Sequence, residues 1–365
     1  LMLQIFMGAP LLAWLANALF DSGVGRFFLV CHDRYVEAAR ACLPAEAEVM
    51  TTMDSDPADL LHVFLSTAED AEHTITVVTG PAVYLPQLAP QAAGRFPRVY
   101  GVSREELMQA LDEHFSFARF LLDNGSPMNE EQAMYSVASP AELPEIAGLL
   151  QRNRLLALAR TGVEIYDASS CYVEPSVRVA PGARLLPGTM LRGKTVIGEE
   201  AVIGPWSVID DSVIGARAVV NASQVRESRV GQDAVVGPYA SVRGGCELGR
   251  SVRAGSFVEL KNARLGENTQ VPHLAYLGDT EAGANCNFGC GVTTANFDRV
   301  QKHETVVGEG AFIGCNTALI APLQVGSGAY IGAGSTITED VPAQALGIAR
   351  ARQSNKKEWA AKHKK

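Results

Sequence analysis

The chain of 365 residues is long enough for two domains and a sizeable core. Its 47% hydrophobic content and mean hydropathy of +0.06 describe a globular protein, and no apolar run reaches the roughly 20 residues a membrane-spanning helix needs. A net charge of −9 repels the phosphate backbone and argues against nucleic acid as a partner.

The apolar stretch from Leu1 to Phe20 contains Pro10, lacks a basic flank and alternates in character, so it does not read as a signal peptide. A leading leucine in place of methionine is consistent with a fragment or a processed chain. Seven cysteines, an odd number scattered along the chain, fit a reducing cytoplasm rather than a disulfide framework. A helix is predicted from Pro10 to Asp21 and a strand from Arg26 to Cys31. A helix around Tyr35 to Cys42, a strand at Glu48 to Thr52, a helix at Pro57 to Ala68 and a strand at Thr74 to Thr79 follow. Strands alternating with helices predict a parallel sheet, so residues 1–125 are assigned to an α/β domain. Ser103 with Glu106 three residues on is a capping box, opening a helix that runs to about Leu122 before Asp123-Asn124-Gly125-Ser126-Pro127. In a helical linker over 126–165, Ser139-Pro140-Ala141-Glu142 starts a helix with Leu143, Ile146, Leu149 and Leu150 at helical spacing, ending near Gly162.

From Ile197 to Ile337 the chain repeats about every six residues. Small aliphatics recur at Ile197, Ile203, Ile209, Ile214, Val220, Val225 and onward to Ile331 and Ile337, often followed by glycine. A period of six fits neither a helix nor an alternating strand. It is the signature of a parallel β-helix, in which three hexapeptides close a triangular coil and each aliphatic stacks on its equivalent one coil below. Glycine is expected at the corners, where the backbone takes a conformation that a Cβ disfavours. The β-helix is placed at 166–345, with a basic tail over 346–365 that is ordered only against another surface.

Pro272-His273-Leu274-Ala275-Tyr276 interrupts the repeat. His273 sits where the repeat would normally place an inward or flanking aliphatic. Histidine titrates near neutral pH and is the residue type suited to general-base work, although a lone histidine is more often structural than catalytic. Cys286 and Cys290 form a CxxxC, but no second pair completes a zinc site, and inward or corner packing is the simpler reading. No metal ligand set is expected.

Several segments, taken in order and at matching spacing, carry a resemblance. They are Gly237-Pro238-Tyr239-Ala240 through Arg243, Phe257-Val258-Glu259-Leu260-Lys261, and His273-Leu274-Ala275-Tyr276-Leu277-Gly278-Asp279. Asn285-Cys286-Asn287-Phe288-Gly289, Ala295-Asn296-Phe297-Asp298 and Lys357-Glu358-Trp359 follow. From about Gly237 to Trp359 the chain resembles the acetyltransferase half of the bacterial family of bifunctional N-acetylglucosamine-1-phosphate uridyltransferases and glucosamine-1-phosphate N-acetyltransferases. The likeness is weaker but collinear from about Val137. The resemblance implies a left-handed β-helix and transfer of acetyl from acetyl-CoA to glucosamine-1-phosphate, in UDP-N-acetylglucosamine biosynthesis.

It also implies roles. His273 is the proton acceptor, and Arg243, Lys261 and Lys302 are the cations facing a sugar phosphate. Tyr276 and Asn287 hold the sugar. Glu259, two residues before Lys261, reads either as a group that orients the histidine or the substrate or as a solvated carboxylate on a repeat face. Cys290, Asn296, Phe297, Cys315, Ala333 and Arg350 fall at acetyl-CoA contacts. A loop between Thr294 and Val307 is expected to reach across to a neighbouring subunit of a homotrimer with sites between subunits. Phe297, Cys315 and Cys290 stand where the family usually has tyrosine, serine and alanine, which affects affinity more than reaction type.

The first domain is a reduced, nucleotidyltransferase-like (Rossmann-like) unit. The likeness begins only after the family's phosphate loop, around Gly8-Ala9-Pro10-Leu11-Leu12. Asp54-Ser55-Asp56-Pro57 replaces a glycine-rich stretch, and Val78-Thr79-Gly80-Pro81-Ala82 lacks the family's metal-binding aspartate. Uridylyl transfer is therefore expected to be lost, and Mg²⁺ is not expected as a cofactor. Two alternatives stand: an acyltransferase of the same fold with a different amino-sugar acceptor, or a non-catalytic scaffold binding a nucleotide sugar. A zinc-dependent hexapeptide enzyme needs three histidines, and the repeat region offers His273 and His303.

Overall fold

A computed structural model of the chain describes residues 2–3, 5–52, 57–67, 74–85, 99–112, 117–127, 134–137 and 140–363. Two compact units divide it, 1–196 and 197–365, with the boundary inside the repeat rather than at the start of the linker or of the coil.

In the first unit a short hairpin, β1 (Ile5–Phe6) and β2 (Ala9–Pro10), leads into α1 (Leu11–Phe20). Leu11, Trp14 and Leu15 of α1 are buried. β3 (Arg26–Val30), α2 (Val36–Arg40) and β4 (Glu48–Thr52) form a crossover unit in which β3 and β4 pair in parallel from Arg26↔Glu48 to Val30↔Thr52. The expected parallel sheet stops there. After α3 (Ala58–Ser66), β5 (Thr74–Val78) pairs antiparallel with β7 (Val99–Ser103), and β6 (Ala82–Tyr84) pairs antiparallel with β9 (Met134–Ser136). A parallel pair needs a crossover that returns the chain to the same end of the sheet. α2 provides one, whereas no helix stands between β5 and β7 among the described residues.

The predicted helix from Ser103 is α4 (Arg104–Asp112), with α5 (Phe117–Asn124) beyond it, followed by β8 (Ser126–Pro127). Its cap is present, the Glu106 N–H donating to Ser103 Oγ at 3.4 Å. Asp54, Ser55, Asp56 and Ser139 lie outside the described residues.

α6 (Leu143–Arg160) buries Leu143, Ile146 and Leu150 against α1 and β6. Arg154 of α6 is buried; it pairs with Asp21 at 2.5 Å and donates to the Val177 carbonyl at 2.5 Å. Burial pushes the pKa of its guanidinium down, and the Asp21 carboxylate works against that. The coil begins at Glu164, whose strand pairs in parallel with Arg184–Leu185.

Three columns of side chains fill the coil of the second unit. One runs Ile203, Val220, Val236, Ala254. A second runs Ile209, Val225, Val242, Leu260, Leu277. The third runs Ile214, Val230, Leu248, Leu265, Ala282, Val307, Val325. Nearly all are inaccessible to solvent, and each buried Ile, Leu or Val contributes about 2 kcal/mol of apolar burial. The expected stacking of aliphatics is therefore present.

The expected role of glycine is present at some corners, such as Gly204 (φ 107°) and Gly237 (φ 102°), but not at most of the repeat glycines. Most glycines that directly follow the inward aliphatics have ordinary φ, and the left-handed corner positions two residues later are held by side-chain residues such as Glu200 (φ 55°), Arg217 (55°) and Asp233 (59°). Close packing is what requires glycine here. A Cβ on Gly198 would lie 2.6 Å from the Ala216 nitrogen, and one on Gly231 would lie 2.6 Å from the Gly249 carbonyl carbon and oxygen. Backbones stacked at strand spacing leave no room for a methyl pointing along the coil axis. In the tail, a short helix, α7 (Trp359–Lys362), stacks Trp359 on His363 at 4.4 Å, and the described residues from Ile348 onward are exposed.

Candidate active site

Every predicted site residue falls in the second unit. Two long strands, Arg253–Leu265 and Gln270–Ala282, pair in parallel and place Ser256 beside His273, Glu259 beside Tyr276, and Lys261 beside Gly278. Arg243 is in register with Lys261 one coil earlier.

His273 is exposed on a corner, next to Leu274 in the left-handed region (φ 37°). Above it the coils continue in step. Tyr276 pairs with Thr293, so His273 lies one coil below Cys290, and the Gly291 N–H donates to the Leu274 carbonyl at 2.7 Å. The Asn316 N–H donates to the Cys290 carbonyl and the Gly334 N–H to the Cys315 carbonyl, each at 2.8 Å. His273, Cys290, Cys315 and Ala333 thus follow one another up a single corner. Arg350 borders it: a Cβ on Gly334 would find only Arg350 Cδ, 3.7 Å away.

Below Leu274 the same corner carries large exposed apolar side chains, Trp206, Tyr239 and Phe257, with Tyr239 and Phe257 stacked at 5.4 Å. Above Leu274 the large apolar side chains stop: the corner passes through Gly291 (φ 80°), Asn316 and Gly334 (φ 74°), and the Asn316 side chain lies over Gly291, where a Cβ would meet its Oδ1 at 2.2 Å. A ridge thereby gives way to a shelf at the height of His273. A slender, extended ligand can lie along that shelf, where the Asn316 amide would offer it a polar contact and a column of large apolar side chains would obstruct it.

The cations gather on the neighbouring strand. Arg243 forms an ion pair with Glu259, so that carboxylate is taken up by the arginine rather than by His273. Lys261 and Lys302 are close enough to share a hydrogen bond. That contact and the Lys302 charge hold the pKa of Lys261 below the ordinary lysine value, with some desolvation and Arg243 adding to the effect and Asp279 opposing it. Crowded cations of this kind favour an anion between them.

Lys302 is delivered by the loop that interrupts the repeat. The coil-to-coil step is 17 residues at Arg253↔Gln270 and 25 at Thr280↔Thr305. The extra residues make a tight hairpin: Phe297 and Lys302 form an antiparallel bridge, and the His303 N–H donates to the Asn296 carbonyl at 2.8 Å. Asp298 closes it, accepting the Val300 and Gln301 N–H groups at 2.8 Å each and meeting His303 Nε2 at 2.7 Å. These hydrogen bonds hold its carboxyl far below the usual range. Val300 at the tip is 88% exposed and Phe297 60%.

Asn296 is turned inward. It is 7% exposed and donates to Asp279, which also accepts from Asn262 at 2.6 Å. Asn287 sits on the adjoining strand between Gln270 and Phe312, three residues before Cys290. Cys286 points into the coil and donates to the Gly308 carbonyl at 3.1 Å, while Cys290 is half-buried on the outer surface. The CxxxC is thus split between inside and outside.

Two residues that sequence reasoning passed over help to shape the site. Asp279 is the carboxylate that Asn262 and Asn296 hold near Lys261. Thr294 replaces an aliphatic in the second column, pairing with Leu319. Its buried hydroxyl accepts from the Gly278 N–H at 2.7 Å and supports the strand carrying Tyr276. A polar residue at an inward position of the repeat was the available signal for it.

A parallel β-helix of hexapeptides with one enlarged coil defines the class, and residues 304–339 match the family model described as Bacterial transferase hexapeptide (six repeats). The fold class is the left-handed β-helix of hexapeptide repeats, joined to an α/β segment. Over two thirds of its length the chain is similar to proteins named Bifunctional protein GlmU. With that of Clostridium perfringens (strain SM101 / Type A) it shares 41% identity over 240 residues, 66% of this chain and 53% of the relative. With that of Brevibacillus brevis it shares 44% over 221 residues, 60% and 48%. With that of Clostridium botulinum (strain Kyoto / Type A2) the figure is 49% over 153 residues, 42% and 34%. The chain spans about half the length of the curated relatives it matches. Among solved structures, a putative acetyltransferase from Desulfovibrio desulfuricans G20 covers 55% of this chain and 72% of its own, at 15% identity and a TM-score of 0.29, too low to bear on the chemistry.

Proposed function

We propose that the second unit is an acetyl-CoA-dependent N-acetyltransferase acting on an amino-sugar phosphate, glucosamine-1-phosphate being the acceptor that the family resemblance of its sequence implies. One observation carries the reading: a single corner stacks His273, Cys290, Cys315 and Ala333 where its large apolar side chains end, beside the cations Arg243, Lys261 and Lys302.

In this reading the cation cluster takes the phosphate. The like-charge repulsion that depresses Lys261 is relieved when an anion sits between the two ammonium groups. Tyr276 and Asn287 orient the sugar, and Asp279, held by Asn262 and Asn296, lies close enough to meet a hydroxyl or the amine. His273 accepts the proton of the acceptor amine, which reacts only as the free base. Acetyl-CoA supplies an activated thioester, and the shelf beside Cys290, Cys315, Ala333 and Arg350 is shaped to hold its narrow arm. The hairpin with exposed Phe297 and Val300 fits a trimer in which each loop completes a neighbour's site. The first unit does not transfer uridylyl groups. Where the relatives would hold Mg²⁺, the segment is Thr79-Gly80-Pro81-Ala82, and Ala82 is fully buried.

The test is thiol release from acetyl-CoA in the presence of a panel of amino-sugar phosphates. Wild-type protein is expected to turn over glucosamine-1-phosphate, and His273→Ala to fall by at least about 100-fold, the usual contribution of a general base. Undiminished release by the variant overturns the role of His273, and no release with any acceptor overturns the function. Formation of UDP-N-acetylglucosamine from UTP and the sugar phosphate overturns the loss of uridylyl transfer.

A further inference from the structure

We propose that Cys290 and Cys315 form an oxidisable dithiol across two adjacent coils, one that closes to a disulfide beside His273. The register places them. Phe288 pairs with Ile313 and Thr293 with Ala318, both at a step of 25 residues, so Cys315 stands directly over Cys290. The 2.8 Å hydrogen bond from the Asn316 N–H to the Cys290 carbonyl binds the two segments at that point. Strands paired this way are about 4.8 Å apart, within the roughly 4.4–6.8 Å that separates the Cα atoms of a disulfide.

The orientation is also favourable. Gly289 carries no side chain, and a Cβ built there would lie 2.9 Å from Cys315 Sγ. The thiol of Cys315 therefore leans down over the segment that holds Cys290, next to Gly289. Cys315 is exposed and Cys290 half-buried. In contrast, Cys246 and Cys286 are buried and donate to backbone carbonyls, and burial pushes their thiols up, which leaves them unreactive.

The chemistry balances with a small disulfide as oxidant. The exposed Cys315 thiolate attacks one sulfur of the oxidant, whose other half leaves as a thiolate and takes up a proton. Cys290 then loses its proton to the buffer and attacks Cys315 Sγ, expelling the second half. Two electrons pass from the two protein thiols to the oxidant, and two small thiols are released. A resolving thiol poised beside the attacked one is what distinguishes a reversible sensor pair from a lone cysteine that accumulates adducts. The bond also bridges the shelf one coil above His273. Its effect on acetyl transfer rests on the proposed function, but the dithiol itself does not.

The full chain, reduced and desalted, is treated with oxidised glutathione, unfolded, and assayed for free thiols and by non-reducing peptide mapping. Free thiols are expected to fall from seven to five, with one new linked species joining the Cys290 and Cys315 peptides, reversed by dithiothreitol. Cys315→Ser should give no linked species. Glutathione carried on Cys315 with Cys290 free, or Cys290 joined to Cys286, overturns the proposal. Acetyl transfer by the oxidised protein is expected to drop at least tenfold and to recover on reduction. Should the reduced protein show no transfer while the linked species forms, the functional reading fails and the dithiol stands.

Discussion

Gly278→Ala separates the architecture of the site from that of the coil. A Cβ at position 278 would lie 2.5 Å from the Tyr276 hydroxyl and 2.7 Å from Asn296 Nδ2, where ordinary contact begins near 3.4 Å. Tyr276 must therefore retreat by about 0.9 Å and Asn296 by about 0.7 Å relative to that limit. Both obstacles are ends of side chains rather than backbone, so the coil can absorb them at about 1–2 kcal/mol, the lower range for overpacking. The site cannot. Asn296 releases Asp279, and Tyr276 leaves its place over the strand that carries His273. Displacements approaching 1 Å in groups that position a substrate cost about 100-fold in rate. The expected result is a protein with unchanged far-UV circular dichroism, a urea midpoint only slightly lower, and kcat/KM for acetyl transfer down by about two orders of magnitude. Full activity in a folded variant refutes the placement of Tyr276 and Asn296. Wholesale unfolding refutes the argument that their side chains can yield.

Two further predictions follow from packing and from charge. Gly231→Ala meets the Gly249 carbonyl at 2.6 Å despite an ordinary φ, whereas Gly245→Ala has open space but a φ of 79°. The first is expected to cost about 3 kcal/mol by overpacking and the second about 1 kcal/mol by backbone strain, read from urea unfolding; the opposite order would sink the close-packing account of the repeat glycines. For the hairpin, the pKa of Asp298 is depressed, mainly by the Gln301 N–H and then by His303 and the Val300 N–H. Its stabilising contribution is therefore complete above the unfolded value near 3.9 and fades only as pH falls through the lower folded value. Amide exchange at Val300 and Gln301 should stay slow at pH 4 and speed up in Asp298→Asn at pH 7. Loss of protection in the wild type already between pH 6 and 5 would show that Asp298 does not hold the loop.

Much of the second unit was legible because the repeat forces it. A six-residue period with aliphatics at one phase admits a single way of burying them, and Ile209, Val225, Val242, Leu260 and Leu277 stack as that period requires. The first unit was less legible. Its helices and strands stand close to where apolar spacing placed them, yet β5 pairs antiparallel with β7, because strand direction is set by the route of the connection and not by the strand's own residues. The repeat glycines are visible in the sequence, but a left-handed φ accounts for only some of them, such as Gly204 and Gly237, and close packing for most. A φ requirement is local, whereas the exclusion of a Cβ by the next coil depends on a residue some 17 positions away.

The site divides along the same line. By itself the sequence determined which residue types were present and at what step: a histidine within the repeat, cations at Arg243, Lys261 and Lys302, and an insertion before Val307. That His273 stands on an exposed corner beside Ser256, and not in an aliphatic position, came from the structure. Only the tertiary structure decided that Glu259 serves Arg243, that Asn296 turns inward to Asp279, and that Lys302 comes back to Lys261. Only there do His273, Cys290 and Cys315 share a corner. A side chain's chemistry belongs to its residue, but its partner is chosen by the stacking of coils, and stacking joins positions that are distant in the chain.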